Sequence, residues 1–211
     1  MHKLLPVALD VRGKECLVVG GGVVAERKVK SLLECEANVT VVSPSLSQGL
    51  TDIENEFRWV CRAFESLGYL GSSLIFACTN DPEVNHAVAL AAHSAGIWCN
   101  IADDPAGSEF HSAAAVRRGE ICIGITTGSG SPALSKHLRR KIEELIGPEY
   151  QALLELLAEM RVSLESIEND PERRAAMWRS VIEDGEIREL LREGRRGEAT
   201  ERAWAISSIL L

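Results

Sequence analysis

No stretch of the 211 residues approaches the roughly 20 consecutive apolar residues of a membrane-spanning helix. The opening MHKLLPVALDVRGKE also lacks the long apolar centre and small-residue cleavage site of a secretory leader. A cytoplasmic protein with no membrane partner is therefore expected. Basic residues are outnumbered, 23 Lys and Arg against 31 Asp and Glu. The resulting net charge of -8 excludes a nucleic-acid-binding surface spread over the whole molecule, so any anionic ligand must find a local basic patch. Paired cysteines are missing too. Positions 16, 35, 61, 78, 99 and 122 stand singly, with no C-x-x-C and no short Cys/His cluster, so no structural metal is expected. Cys16, Cys78, Cys99 and Cys122 fall in apolar strand-like runs, where a free cysteine is expected to behave as a small buried hydrophobe.

What is present is a 45% hydrophobic chain, enough for one sizeable core and a smaller appended module. Over the first two thirds, short β-like runs alternate with helical stretches, the pattern of a parallel sheet covered by helices. Residues 16–20 (CLVVG) read as the strongest strand. They lead into GGVVAERKVKSLLE, where Val24, Lys28 and Leu32 suit a helix, and then into the strand NVTVVS. FRWVC, SLIFACT, IWCNIA and EICIGIT are further strand candidates, the last two separated by the FHSAAAVRRG region, and LPVALDV at the start is expected to add an edge strand. After Thr127 the texture changes: TTGSGSP reads as a loop, and beyond Pro132 the chain is rich in Leu, Glu, Arg and Ala at helical spacing. Leu153, Leu156, Leu157, Met160 and Leu164 fall on one helical face, and this stripe suggests a homodimer interface.

Gly20, Gly22 and Ala25 form G-x-G-x-x-A directly after a strand and at the start of a helix, the context that a dinucleotide fingerprint requires. Gly20 permits the tight turn, Gly22 leaves room for a pyrophosphate, and Ala25 lets helix and strand pack closely. The turn residues Val23 and Val24 are expected to share in cofactor binding. At the end of the second strand, the acid that usually grips the ribose hydroxyls is missing. The chain reads Ser43-Pro44-Ser45 there, with no arginine or lysine following to meet a 2′-phosphate, so NAD is favoured over NADP by elimination. Thr79 and Asn80, after SLIFACT, are placed to line the same crevice.

Taken together, GGGVVAERK, CTND, CNIAD and TGSGSPALS resemble the precorrin-2 dehydrogenase family, itself similar to the amino-terminal module of siroheme synthase. The likeness runs from about residue 1 to 145. It implies NAD-dependent oxidation of precorrin-2 to sirohydrochlorin, followed in some members by insertion of ferrous iron. It also implies an α/β architecture: a Rossmann-like parallel sheet followed by a dimerisation region and a helical C-terminal domain, assembled as a homodimer. On this chain the expected divisions are 1–112, 113–146 and 147–211.

The resemblance places the catalytic role on Asp103, in Asn100-Ile101-Ala102-Asp103, with the neighbouring Asp104 an open alternative. A carboxylate suits the chemistry, because dehydrogenation releases a proton as well as a hydride. Thr127 stands where some relatives carry a serine, and Ser131 is placed to cap the helix that Pro132 begins. With His111, Arg117 and Lys136, these two residues are the expected substrate contacts. Other nucleotide-dependent classes fit less well. A short-chain dehydrogenase needs Tyr-x-x-x-Lys, whereas Tyr69 is followed four residues on by Ser73 and Tyr150 by Leu154. A non-catalytic NAD-sensing module would have no need of CNIAD and TGSGSP.

Overall fold

A computed structural model describes residues 3–65, 71–167 and 170–210, the side chains of 165–167 and 209–210 excepted; Tyr69 lies outside the described residues. The chain forms two compact units, residues 1–112 and 113–211.

The first unit is a five-stranded sheet of β1 (Glu15–Val19), β2 (Asn38–Val42), β3 (Arg58–Val60), β4 (Leu74–Ala77) and β5 (Trp98–Ile101). Its spatial order is β3-β2-β1-β4-β5, and every neighbouring pair is parallel. From β1 the chain winds outward through β2 and β3, then returns to place β4 on the other side of β1. The ends of β1 and β4 therefore border the point where the winding reverses, which is where a crevice opens in such sheets. Both faces of the sheet are covered. One carries Cys16, Val18, Val39, Val41 and Phe76 against helix α1 (Val23–Leu33), which turns Ala25, Val29 and Leu32 inward. The other carries Leu17, Val19, Ile75, Ala77 and Cys99 against α3 (Pro82–Ser94) through Val88 and Ala92. Burial on both sides explains why these strands read as continuous apolar runs rather than alternating ones. A four-residue helix, α2 (Gln48–Thr51), lies between β2 and β3.

At the β5 edge the chain folds back to occupy the exposed ladder. Glu109 donates its N–H to the Cys99 carbonyl (3.0 Å) and accepts the Cys99 N–H on its carboxylate (2.9 Å), while Ser108 Oγ accepts the Ile101 N–H (2.8 Å). These bonds protect the edge from pairing with another chain. They also hold the ends of the short loop that carries Asp103 and Asp104.

The second unit begins with an antiparallel hairpin of β6 (Ala114–Arg118) and β7 (Ile121–Ile125), closed by the two-residue turn Gly119-Glu120 with Gly119 at φ +57. Four long helices follow, α4 (Pro132–Leu145), α5 (Glu149–Ile167), α6 (Pro171–Glu183) and α8 (Arg196–Leu210), with the shorter α7 (Gly185–Arg192) before α8. Prolines stand at the first helical positions of α4 and α6, behind the capping side chains of Ser131 and Asp170.

Four expectations from the sequence are corrected here. Residues 5–11 (LPVALDV) form no strand; their exposed Leu5, Val7 and Leu9 and the proline at 6 leave nothing for an edge strand to cover. The FHSAAAVRRG region contains β6, and EICIGIT pairs with it antiparallel instead of extending the parallel sheet. Cys122 is exposed, because it lies opposite Arg117 on the open face of that hairpin. Finally, the stripe of α5 is consumed inside the chain: Leu153, Leu156, Met160 and Leu164 are buried with Met177, Val181, Ile187 and Leu191. It offers no dimer face.

Asp184 is one of the polar ties between the helices of this unit. Its carboxylate accepts the Ile187 N–H (2.8 Å), capping α7, and two bonds from Arg202 of α8 (3.0 and 2.9 Å). The Arg202 guanidinium holds the Asp184 carboxyl below the usual range, more than offsetting the opposing effect of burial. A carboxylate with a depressed folded-state pKa contributes stability that is complete above its unfolded value, near pH 4, and is lost as pH falls through the folded value. Asp184→Ala is expected to cost about 2 kcal/mol at neutral pH from the lost cap and charge-assisted bonds. The cost should shrink below pH 4, as read by denaturant melts across a pH series.

Candidate nucleotide and proton-transfer site

Ladder hydrogen bonds continue one residue beyond β1, β4 and β5: Gly20 N–H donates to Val42 O, Cys78 N–H to Val19 O, and Ala102 N–H to Ala77 O. Gly20, Ser43, Thr79 and Asp103 are thereby delivered along one edge of the sheet. A cleft of about 490 Å³ opens there, bordered by the glycine turn, the Ser43–Ser47 loop and Cys78–Asn80. Among the described residues no charged side chain lines it.

The three glycines of the turn do different work. Gly20 has φ +117, and a Cβ there would stand 2.5 Å from the Cys78 carbonyl oxygen. At Gly21 a Cβ would stand 2.0 Å from the Ser45 carbonyl oxygen, so the second loop closes directly on it; Gly21 O also accepts the Ser47 N–H (2.7 Å). Gly22 faces open space. It is the N-cap of α1 and supplies no side-chain cap, which leaves first-turn N–H groups free for an external anion. An open cradle at Gly22 beside an uncapped helix start fits a dinucleotide pyrophosphate.

Most of the expected cofactor residues border this cleft: Gly20, Gly22, Val23, Ser43, Pro44, Ser45, Thr79 and Asn80 all line it. Val24 sits half-buried on α1 outside the lining. The Ser43 hydroxyl is turned inward to donate to Ser45 O (2.7 Å), and Trp59 Nε1 donates to Ser43 O (3.0 Å), so this serine shapes the loop. Glu26 accepts from Ser47 Oγ (2.8 Å) and Lys30 Nζ (2.7 Å), which ties the same loop to α1 and holds the Glu26 carboxyl below the usual range, Lys30 contributing more than Ser47.

Asp103 and Asp104 differ in what their oxygens do. Asp104 Oδ1 accepts the N–H groups of Ala106 and Gly107, both at 3.1 Å, and so builds the turn. Asp103 is exposed, and its Oδ1 accepts from Asn85 Nδ2 (2.9 Å), leaving Oδ2 open to a ligand. His111 follows Phe110, whose ring packs edge-on against Phe76 with centroids 5.2 Å apart. His86 and His93 are exposed on α3. Burial pushes the thiols of Cys78 and Cys99 up to about 11 and about 12, so both stay protonated and unreactive at neutral pH. Lys28 Nζ lies 5.5 Å from the Phe76 ring centroid, and burial lowers its pKa.

The remaining expected residues lie in the second unit. Thr127 Oγ1 accepts the Ser131 N–H and lies 3.1 Å from Ser135 Oγ, while Ser131 Oγ accepts the Leu134 N–H (3.2 Å) as the cap of α4. Lys136 and Arg117 are exposed on α4 and β6. Among the nearby basic residues, Arg139 and Lys141 pair with Glu143 and Glu144, and Arg118 donates to backbone carbonyls. Among the described residues, no group of three His, Cys, Asp or Glu could hold a metal ion.

Reading by spacing missed two participants. Gly21 occupies a variable position of the fingerprint, so nothing in the pattern marks it. Asn85 carried a signal, because it shares the inward face of α3 with Val88 and Ala92.

Residues 7–114 match a family described as "Putative NAD(P)-binding". The chain belongs to this NAD(P)-binding family. Siroheme synthases are similar in sequence. That of Methylococcus capsulatus is 35% identical over 197 residues, covering 92% of this chain and 41% of the relative. The Tolumonas auensis protein is 32% identical, covering 93% and 42%. The chain thus spans about two fifths of the length of these relatives. Among solved structures it is similar to "SirC, precorrin-2 dehydrogenase", with a TM-score of 0.74 at 25% identity, over 96% of this chain and 100% of that one. The match to SirC takes in both units of this NAD(P)-binding protein. No helix among its described residues is long and apolar enough to cross a membrane.

Proposed function

We propose that this chain catalyses the NAD-dependent dehydrogenation of precorrin-2 to sirohydrochlorin in the cytoplasm. The observation that carries the reading is the end-to-end likeness to a precorrin-2 dehydrogenase, joined to a glycine cradle and a free carboxylate oxygen on the same sheet edge. Bound NAD supplies the hydride acceptor. The backbone N–H groups at the start of α1 hold the pyrophosphate, and Gly20 and Gly21 keep the surrounding loops close enough to shape the cleft. Asp103 takes the proton released from the ring through its open Oδ2, while Asp104 remains a turn residue. NAD is preferred to NADP because, among the described residues, the cleft is lined by no basic group for a 2′-phosphate. The same carboxylate serves as acceptor for pyrrole N–H protons if ferrous iron enters sirohydrochlorin, so the proposal extends to chelation with Fe²⁺ as substrate. Anaerobic turnover of precorrin-2 should produce NADH with NAD and far less reduced cofactor with NADP. Equal rates with both would overturn the cofactor assignment, and NAD binding without turnover would favour a sensing module.

Residues 1–112 are assigned to cofactor binding, 113–146 to substrate contact and self-association, and 147–211 to a helical support. His111, Arg117, Thr127, Ser131 and Lys136 are assigned to the polycarboxylate substrate. A chain of net charge -8 has to concentrate positive potential locally to receive such an anion. Neutralising Arg117 and Lys136 together is expected to raise KM for precorrin-2 roughly tenfold with little change for NAD, and to flatten the salt dependence of turnover. For the homodimer, α4 is the better-placed element, since it leaves Leu134, Leu138 and Leu145 exposed. Light scattering should give twice the chain mass, and Leu138→Glu should return it to the monomer value.

A further inference from the structure

Asn85 is 1% exposed, an unusual place for a carboxamide unless every polar atom is satisfied. It lies in the first turns of α3, whose start is already capped by Asp81 through the N–H groups of Glu83 and Val84, so the helix does not need it. Its side chain bridges the ends of two strands instead. Nδ2 donates to Thr79 O (3.1 Å) and to Asp103 Oδ1 (2.9 Å). Oδ1 accepts from the Thr79 N–H (3.0 Å) and lies 2.8 Å from the Thr79 hydroxyl, whose single proton also reaches Asp81 O (3.0 Å). Both donor hydrogens of the primary amide are used.

One anchor therefore fixes both Thr79, on the wall of the cleft, and Asp103, the exposed carboxylate beyond β5. With one carboxylate oxygen held, rotation about the Asp103 side chain is restricted and the other oxygen keeps a single direction. Orientation of this kind affects the rate of a bound complex more than the affinity with which it forms. We infer that Asn85 is a positioning residue for Asp103, aiming its free oxygen at the substrate and setting it in register with the nucleotide cleft. This assignment rests on the proton-accepting role proposed above for Asp103.

Asn85→Asp keeps the acceptor half of the anchor and removes the donor half. Its carboxylate still accepts from the Thr79 N–H, but it no longer donates to Asp103 or to Thr79 O, and it places a like charge against Asp103. The variant is expected to lower kcat for NADH formation from precorrin-2 by roughly tenfold to a hundredfold while NAD affinity stays within about twofold. In an Asp103→Ala background the same change should cost less than about twofold further, because two residues acting as one unit are not additive. An equal loss in both backgrounds, or a loss carried by weaker NAD binding, would mark Asn85 as a packing residue and overturn the inference. If Asp103→Ala by itself retained wild-type turnover, the Asp103 reading would fall, a result distinct from a slow Asp103→Ala beside a fast Asn85→Asp. Should Asn85→Asp fail to fold, NMR of the side-chain amide decides. One Asn85 Nδ2 proton should move upfield when Asp103 is replaced by Ala, and an unmoved pair would overturn the inference.

Discussion

Gly22→Val is expected to fold as the wild type does and to bind NAD on the order of 100-fold more weakly, a loss of nearly 3 kcal/mol. The effect is steric. A Cβ at position 22 meets nothing within 4 Å, so the folded chain tolerates the added side chain, but the space it fills is where a pyrophosphate must approach the uncapped start of α1. The neighbouring glycines should behave in the opposite way. At Gly20 and Gly21 a Cβ would stand 2.5 and 2.0 Å from backbone carbonyl oxygens of other segments, and backbone cannot move aside as a flexible side chain can. Gly20→Ala and Gly21→Ala should therefore lower the melting temperature before they reveal anything about cofactor binding. Isothermal titration with NAD, beside thermal melts of the three variants, checks the contrast. Unchanged NAD affinity in Gly22→Val would remove the cleft from cofactor binding.

Asp103→Ala is expected to bind NAD normally and to lose about 10²- to 10⁴-fold in precorrin-2 oxidation, the usual range for removing a positioned proton acceptor. A stability cost of about 1 kcal/mol should accompany it, since the buried Asn85 Nδ2 loses one of its two acceptors. Asp104→Ala should show the converse pattern. Its carboxylate closes the turn through Ala106 and Gly107, so the variant should melt earlier yet retain most of its turnover per folded molecule. If Asp104→Ala were the slower enzyme at equal folded fraction, the two roles would have to be exchanged.

How much of this could be read from residues alone varied with the reach of the forces involved. The strands of the sheet are continuous apolar runs between glycine and polar breaks, and the G-x-G-x-x-A turn is a local steric demand, so both were legible at short range. The position of EICIGIT was not. Its apolar content is the same whether it joins a parallel sheet or folds back on Ala114–Arg118, and only the tight Gly119-Glu120 turn decides. The α5 stripe was likewise visible, but an apolar face does not state its partner. Here the partner is α6, α7 and α8 of the same chain, which moves the search for a self-association surface to α4. The distinction between Asp103 and Asp104 depends on which oxygen meets which backbone N–H. Adjacent identical residues give sequence no means of expressing that difference. Asn85 was the one tertiary contact with a readable trace, a carboxamide on an otherwise apolar helical face.

The proposed oxidation is read out by incubating the purified 211-residue chain anaerobically with precorrin-2 and NAD, and measuring NADH and sirohydrochlorin together. The two products should appear in equal molar amounts, at the same rate, and neither should form without NAD or with Asp103→Ala at matched protein. NADH release uncoupled from sirohydrochlorin, or binding of NAD with no oxidation of precorrin-2 by folded protein, would contradict it.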